Sequence, residues 1–249
     1  MLAKIFENLK TLIIALLIAI LIRSLFFQPF YIPSSSMEPT LLVGDRIFVS
    51  KYTYGYSKHS FPFSPPIFDN RIFYSEPNYG DLVVFKTPYD NRTDFIKRLI
   101  GLPGDQIQFK DGNLFVNNEM IKKKKINKRN DIRCAGNEID VIEYSEDLSK
   151  KKSFNIVYKS KGGMKNSDIY KVPDDHFFFL GDNRDCSSDS RFLSNVGYVH
   201  KNNLVGRARI IFFSNDTVKG SVLKFWNWNN SLRLDRFLKI IKWTIILKL

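Results

Sequence analysis

The sequence predicts a mainly β protein tethered by one apolar helix at its amino terminus. Three observations carry that expectation. Residues Thr11–Ile22 form an unbroken apolar run of 12 residues. Between residues 40 and 215 the apolar segments are short and bounded by turn residues, a strand pattern rather than a helical one. A polar, lysine-rich stretch over residues 111–170 interrupts that pattern, as an insertion into a compact β-core would. With 249 residues, 44% hydrophobic and 25% charged, the chain can bury a sizeable core and is neither disordered nor collagen-like. Its two cysteines are too few for a disulfide scaffold or a cysteine-rich zinc module. His59, His176 and His200 lack ligand spacing, so no metal is expected.

The apolar run is short by itself, because a spanning helix needs about 20 residues. Leu9 extends it on one side, and Leu25, Phe26 and Phe27 on the other, which predicts a transmembrane anchor over residues 5–27. Lys10 and Arg23 lie near its ends, where their charges can snorkel to water. Lys4 and Lys10 ahead of the run also suit a secretory signal. No Ala-x-Ala site follows, however, and the run exits into Phe-Phe-Gln-Pro-Phe. An uncleaved signal anchor is the reading, against a buried core helix. Lys4, Lys10 and the terminal amine outweigh Arg23 and favour an inside amino terminus.

The body follows as strands. Arg46–Val49, Leu82–Phe85 and Phe95–Ile100 have strand length and β-branched or aromatic content. Gln106–Phe109 and Leu114–Asn117 flank Asp111-Gly112, a hairpin signal. Asn155–Lys159, Phe177–Leu180 and Ala208–Phe213 complete the inventory, with no repeats. The expected antiparallel β-core comprises residues 28–110 and 171–215, with 111–170 as a smaller inserted β subdomain.

The net charge of +13 is unevenly placed. Residues 121–129 carry six basic groups and no acid, and 219–249 carry seven basic groups and one acid. The remainder, with 25 basic and 24 acidic groups, is nearly neutral. A basic loop and a basic apolar tail suit an anionic membrane better than nucleic acid, although a solvated charge run explains the loop alone. In the tail, Leu234, Phe237, Leu238, Ile241 and Ile245 recur at helical spacing, with Arg236, Lys239 and Lys242 on another face. Trp226, Trp228 and Trp243 accompany them. Residues 231–249 thus predict a basic amphipathic tail helix lying on a membrane, or else a surface helix packed on its own core.

Three segments carry chemistry. Pro33-Ser34-Ser35-Ser36-Met37-Glu38-Pro39 directly follows the anchor. In an extended chain Ser34 and Ser36 point to one side, where two hydroxyls can serve as nucleophile and oxyanion donor. Asp94-Phe95-Ile96-Lys97-Arg98-Leu99 reads as a strand with Phe95, Lys97 and Leu99 on one face and Arg98 on the other. Desolvation and a nearby cation favour the neutral amine of Lys97, which can then take a proton from a serine. Gly181-Asp182-Asn183-Arg184-Asp185-Cys186-Ser187-Ser188-Asp189-Ser190-Arg191 is a dense polar loop after a buried strand. It lacks the regular spacing and closing Glu of a calcium loop. Each segment alone has a bland reading: a Ser-rich linker, a snorkelling lysine, a hydrogen-bonded turn.

In this order after one membrane segment, the three resemble the bacterial type I signal peptidases, or leader peptidases. That resemblance implies a signal-peptidase-like β fold and a membrane-bound serine endopeptidase working without a cofactor. It implies Ser36 as nucleophile, Lys97 as general base, and the Ser34 hydroxyl with the Ser36 amide as oxyanion hole. Ser187 would hydrogen-bond and orient Lys97, with Asp189 holding that loop. Arg98 with Asp182, and Asp189 with Arg191, would form supporting ion pairs. Phe30, Ile32, Met37, Leu41, Phe95 and Ile96 would shape pockets for small residues at −1 and −3 of secretory preproteins. Strand alternation favours Phe95 over Ile96 on the Lys97 side. The family usually has Asn where this chain has Cys186, and pairing of Cys186 with Cys134 stays open. The expected location is the bacterial cytoplasmic (inner) membrane, crossed once, with the catalytic domain on the periplasmic side. Two rivals fit less well. A self-cleaving SOS-type repressor needs a DNA-binding domain, and a non-enzymatic membrane module leaves Ser36 and Lys97 unexplained.

Overall fold

The computed structural model describes residues 2–66, 69–149, 152–220, 225–241 and 244–245. It opens with α1 (Leu2–Leu25), which includes a stretch, Lys4–Leu25, long and apolar enough to cross a membrane. Its apolar window is not buried against the rest of the protein; burial begins only at Ser24, where the helix meets the β-core. The helix ends two residues before the expected anchor boundary at Phe27. There the backbone is taken up by β1 (Phe27–Tyr31), which pairs with β2 (Asp45–Ser50) from Phe27↔Ser50 to Tyr31↔Arg46. Sheet pairing thus claims Phe27, which composition alone assigns to the membrane, while the Phe26 N–H still bonds back to the Ile22 carbonyl.

β3 (Leu82–Lys86) and β4 (Asp94–Gly101) follow. The Asp111-Gly112 turn, with both residues at positive φ, joins β5 (Gln106–Lys110) to β6 (Asn113–Val116). Next come β7 (Glu119–Met120), β8 (Lys122–Cys134), β9 (Asn137–Ser149) and β10 (Lys152–Lys159). β11 (Tyr170–Lys171), β12 (His176–Leu180), β13 (Val199–His200) and β14 (Leu204–Ser214) close the core. The short α2 (Trp228–Ser231), β15 (Lys239–Ile240) and β16 (Thr244–Ile245) end the described chain. The main sheet runs β1-β2-β14-β3-β4-β12-β13, with β15 beside β14, and its pairings are antiparallel. Two smaller sheets, β16-β10-β9-β8 and β11-β5-β6-β7, flank it.

β12 explains its own position. Phe177, Phe178, Phe179 and Leu180 are fully buried, so this run is apolar on both faces and packs between two clusters. Phe179 stacks on Phe85 at 4.7 Å, while Phe178 tilts against Tyr170 at 5.0 Å. Burying such a side chain contributes about 1.5–3 kcal/mol. A third cluster, including Ile32, Met37, Leu41, Ile47 and Ile211, lies under the segment that follows α1.

Two expectations are corrected. The lysine run is not a loop but strand β8, paired with acidic β9 as Lys122↔Asp147 and Lys123↔Glu146. Cross-strand charge complementarity stabilises an extended conformation that a lysine run lacks by itself. Nor does an amphipathic helix form among the described residues of the tail: residues 232–241 form a single 3-10 turn, Leu234–Arg236, followed by β15. Beyond Arg207, β14 has a free edge opposite β2, and β15 fills it as Ile210↔Ile240 and Ile211↔Lys239. Arg236 turns inward to the fully buried Asp45, donating from Nε at 3.0 Å and from Nη2 at 2.5 Å. Edge pairing and a buried ion pair outweigh the helical periodicity. Lys242 and Trp243 lie outside the described residues.

Candidate active site

The loop joining β1 to β2 is closed at its base by Ile32 N–H on the Asp45 carbonyl (2.9 Å) and Gly44 N–H on the Ile32 carbonyl (3.0 Å). Met37 and Leu41, both fully buried, pin its middle into the core. Ahead of Met37, Ser34 is extended (φ −126°, ψ 155°) and Ser35–Met37 makes one 3-10 turn. The segment is thus not extended throughout, as the sequence had suggested. The turn still brings Ser34 Oγ to 3.3 Å from Ser36 Oγ.

Lys97 sits on β4, held between β3 and β12, where Val83 is its register partner. A strand paired on both sides gives the lysine a stiff base. Its Nζ donates to Ser36 Oγ at 2.5 Å, and both residues are buried, at 4% and 7% exposure. The Phe95 ring centroid is 5.3 Å from the ammonium. Burial lowers the Lys97 pKa to about 8; the Asp189 and Asp182 carboxylates oppose that shift and Arg191 adds to it. An appreciable fraction of neutral amine therefore exists near neutral pH.

The Gly181–Arg191 loop follows β12 and passes directly behind Ser36. Asn183 N–H donates to the Ser36 carbonyl at 3.1 Å, and its side-chain amide donates to the Ser35 carbonyl at 3.2 Å. Both expected ion pairs form. Arg98 donates to Asp182 from Nε (2.7 Å) and Nη2 (2.5 Å), and Arg191 donates to Asp189 from Nε (2.8 Å) and Nη2 (2.9 Å). Asp189 also accepts from the Gly181 amide at 3.0 Å. The expected hydrogen bond from Ser187 to Lys97 does not form. Ser187 Oγ is buried without a hydrogen-bond partner, because its side chain packs over the bare Cα of Gly181.

A cavity of about 410 Å³ opens over these groups. Ser34, Ser36 and Lys97 line it, with Phe30, Ile32, Met37, Phe95 and Ile96 supplying apolar wall. Phe95 and Ile96 both reach it, although alternation favours only one. Leu41 does not; it is wholly enclosed in the core beneath. The histidines lie elsewhere: His59 beside Ser64, and His176 against His200 at 5.0 Å.

Sequence reasoning missed the braces behind the loop. Cys134 at the end of β8 is disulfide-bonded to Cys186, with Cα atoms 5.4 Å apart. Where the hydrogen-bonding Asn was expected, the loop is thus tied covalently to the neighbouring sheet. Arg184, wholly buried, forms a two-pronged ion pair with Glu146 of β9. Thr40 Oγ1 donates to Asp182 at 2.5 Å. The available signal was a lone second cysteine, which marks a partner without its location.

Residues 5–213 match the family model described as signal peptidase, peptidase S26. The chain is 39% identical over 241 residues to signal peptidase I of Rickettsia akari (strain Hartford), covering 89% of this chain and 88% of that protein. Against signal peptidase I of Rickettsia canadensis (strain McKiel) it is 38% identical over 252 residues, covering 94% and 92%. A crystallised signal peptidase I from Enterococcus faecalis aligns at 24% identity and a TM-score of 0.31, over 53% of this chain and 97% of that one.

Proposed function

This chain belongs to the signal peptidase I family of S26 peptidases, and from that premise we propose that Ser36 and Lys97 are its catalytic dyad. The protein is a membrane-anchored serine peptidase that removes signal peptides from preproteins. The observation that carries the assignment is the 2.5 Å contact between two buried groups, Lys97 Nζ and Ser36 Oγ. Neutral Lys97 takes the Ser36 proton as Oγ attacks the scissile carbonyl. The oxyanion forms beside Ser34, whose hydroxyl and the Ser36 amide stabilise it, at about 2.7–4 kcal/mol per donor in comparable sites. Protonated Lys97 then gives its proton to the leaving amine, and the acyl-enzyme keeps the signal peptide. Lys97 next takes a proton from water as the water oxygen attacks the ester carbonyl, and returns it to Ser36 Oγ as the carbon–oxygen bond breaks, releasing the signal peptide as a carboxylate and regenerating the neutral amine.

Arg98–Asp182 and Arg191–Asp189 keep the loop's charges neutralised behind the dyad. Phe30, Ile32, Met37, Phe95 and Ile96 make an apolar groove suited to small side chains at −1 and −3. α1 crosses the bacterial cytoplasmic membrane once, amino terminus inside, leaving the β-core on the periplasmic side against anionic lipid. The lysine pair at its start supports that orientation.

Cleavage of a purified preprotein in detergent tests the dyad. Ser36→Ala and Lys97→Ala each abolish cleavage while the β-core stays folded by circular dichroism, because nucleophile and base act as one unit. Normal activity of Lys97→Ala at neutral pH overturns the assignment.

A further inference from the structure

A second cavity, of about 540 Å³, opens where α1 leaves the membrane, and the catalytic chemistry does not use it. The apolar stretch of α1 runs from Lys4 to Leu25. At about 1.5 Å per residue it matches a hydrocarbon core of about 30 Å, so Leu25 emerges at the headgroup layer. The loop after β2 clasps that exit: Tyr56 Oη donates to the Leu25 carbonyl and Lys51 N–H to the Phe26 carbonyl, each at 2.9 Å.

Five cations line the cavity: Arg23, Lys51, Lys58, Lys86 and Arg92. Its two carboxylates are already engaged. Asp94 pairs with Lys86 at 2.9 Å, and Asp90 accepts from Thr87, Thr93 and the amides of residues 92 and 93. Among the described residues, Arg23, Lys51, Lys58 and Arg92 form no ion pair. Lys51 is the decisive group. It is 2% exposed, and its ammonium makes one hydrogen bond, to the Ser60 carbonyl at 2.5 Å. A buried ammonium with no carboxylate partner is costly and calls for an anion. Burial, with Arg23 and Lys86 nearby, lowers its pKa to about 8; the Asp94 carboxylate, itself paired with Lys86, opposes that shift, and the ammonium remains mostly charged at neutral pH. His59, beside it in the wall, is pushed down to about 4 by burial and stays neutral.

Aromatic rings mark the mouth and the helix exit. Phe61 and Phe63 line the cavity, with Phe63 fully exposed. Outside the cavity, at the end of α1, Phe27 meets Tyr52 edge-on at 5.7 Å, both rings exposed. Exposed rings at a helix exit suit the membrane interface. We propose that this cavity binds the phosphodiester headgroup of an anionic phospholipid in the leaflet where α1 emerges. The phosphate sits among Lys51, Lys58 and Arg23, and the acyl chains run down beside α1 past the aromatic rim. A soluble anion shares the phosphate chemistry but gains nothing from the rim or the helix. The site goes beyond the peptidase reading and does not depend on the roles of Ser36 and Lys97.

The test is a thermal-shift titration of the full-length protein in neutral maltoside micelles. Short-chain phosphatidylglycerol, short-chain phosphatidylcholine and sodium phosphate are added separately, and apparent affinity is read from the saturation of Tm. Phosphatidylglycerol raises Tm saturably at concentrations where the other two do not. Lys51→Met, which removes a buried charge without opening space, and the double variant Arg23→Gln/Lys58→Gln, at one exposed and one half-buried cation, each weaken that binding. The loss is roughly fivefold per cation. Lys171→Gln, an exposed cation on β11, binds as the parent does. Three results overturn the proposal: unchanged affinity in both variants, equal binding of phosphatidylcholine, or saturation by phosphate at the same concentrations.

Discussion

Gly181 offers a sharp test of how the loop positions Ser36. A Cβ at this position would lie 2.2 Å from Ser187 Oγ, 2.4 Å from Ser187 Cβ and 2.5 Å from the Ser36 carbonyl oxygen. Ordinary contact begins at 3.4 Å, so Gly181→Ala pushes the Ser36 backbone away by about 0.9 Å. That motion loosens the 3.1 Å hydrogen bond from Asn183 N–H to the Ser36 carbonyl and lengthens the approach of Ser36 to Lys97. Overpacking of this kind costs about 1–3 kcal/mol of stability. A displacement near 1 Å at reacting atoms costs on the order of 10² in rate. The expected outcome is a folded enzyme with kcat reduced about a hundredfold and KM little changed, because the substrate groove is untouched. Gly101→Ala is the matched control. Its Cβ meets Ile107 Cδ1 at 3.0 Å and Phe178 Cβ at 3.1 Å, within the cluster that holds Phe178 and Leu180 and away from Ser36. It lowers the denaturation midpoint without lowering kcat. Preprotein cleavage under saturating substrate, with urea unfolding in parallel, separates the two. A folded Gly181→Ala enzyme with kcat within about threefold of the parent refutes the reasoning that close packing here positions the nucleophile.

Three further outcomes follow from the same geometry. Activity rises with pH through about 8, because the proposed base, Lys97, works as the neutral amine and protonation below that value removes it; kcat/KM against pH reads an acid limb falling about tenfold per unit. Reduction of the disulfide, or Cys134→Ser with Cys186→Ser, removes a cross-link spanning a sequence separation of 52 residues. Chain entropy sets its contribution at up to about 4 kcal/mol, read as a lower urea midpoint in the reduced protein. Arg236→Met strands the buried carboxylate of Asp45 and destabilises the domain by about 3–5 kcal/mol in urea unfolding. Removal of residues 231–249 therefore weakens folding itself, whatever it does to membrane contact.

The local patterns were readable because their causes are local. Apolar length marks α1, and Asp111-Gly112 sets the β5–β6 turn through positive φ. The short runs 82–85, 95–100 and 177–180 fall inside strands of the main sheet; 82–85 and 177–180 are apolar on both faces and find burial at a sheet centre, while 95–100 buries Lys97 and Arg98 with its apolar residues. The three polar segments were visible too, but each alone was ambiguous. Ser36 and Lys97 are 61 residues apart, and their contact exists because β4 lies beside a loop pinned by Met37 and Leu41. What the sequence left open depends on partners that no local pattern identifies. A lysine run becomes β8 only when acidic β9 lies alongside, and a helical stripe becomes β15 only when the edge of β14 is free. Cys186 finds Cys134, Arg184 finds Glu146, and Arg236 finds Asp45 across long stretches of chain. Periodicity and turn chemistry act between residues a few positions apart, and the sequence determines them alone. Edge pairing, buried charge compensation and the meeting of Ser36 with Lys97 are set by distances in space, which exist only after the chain has folded.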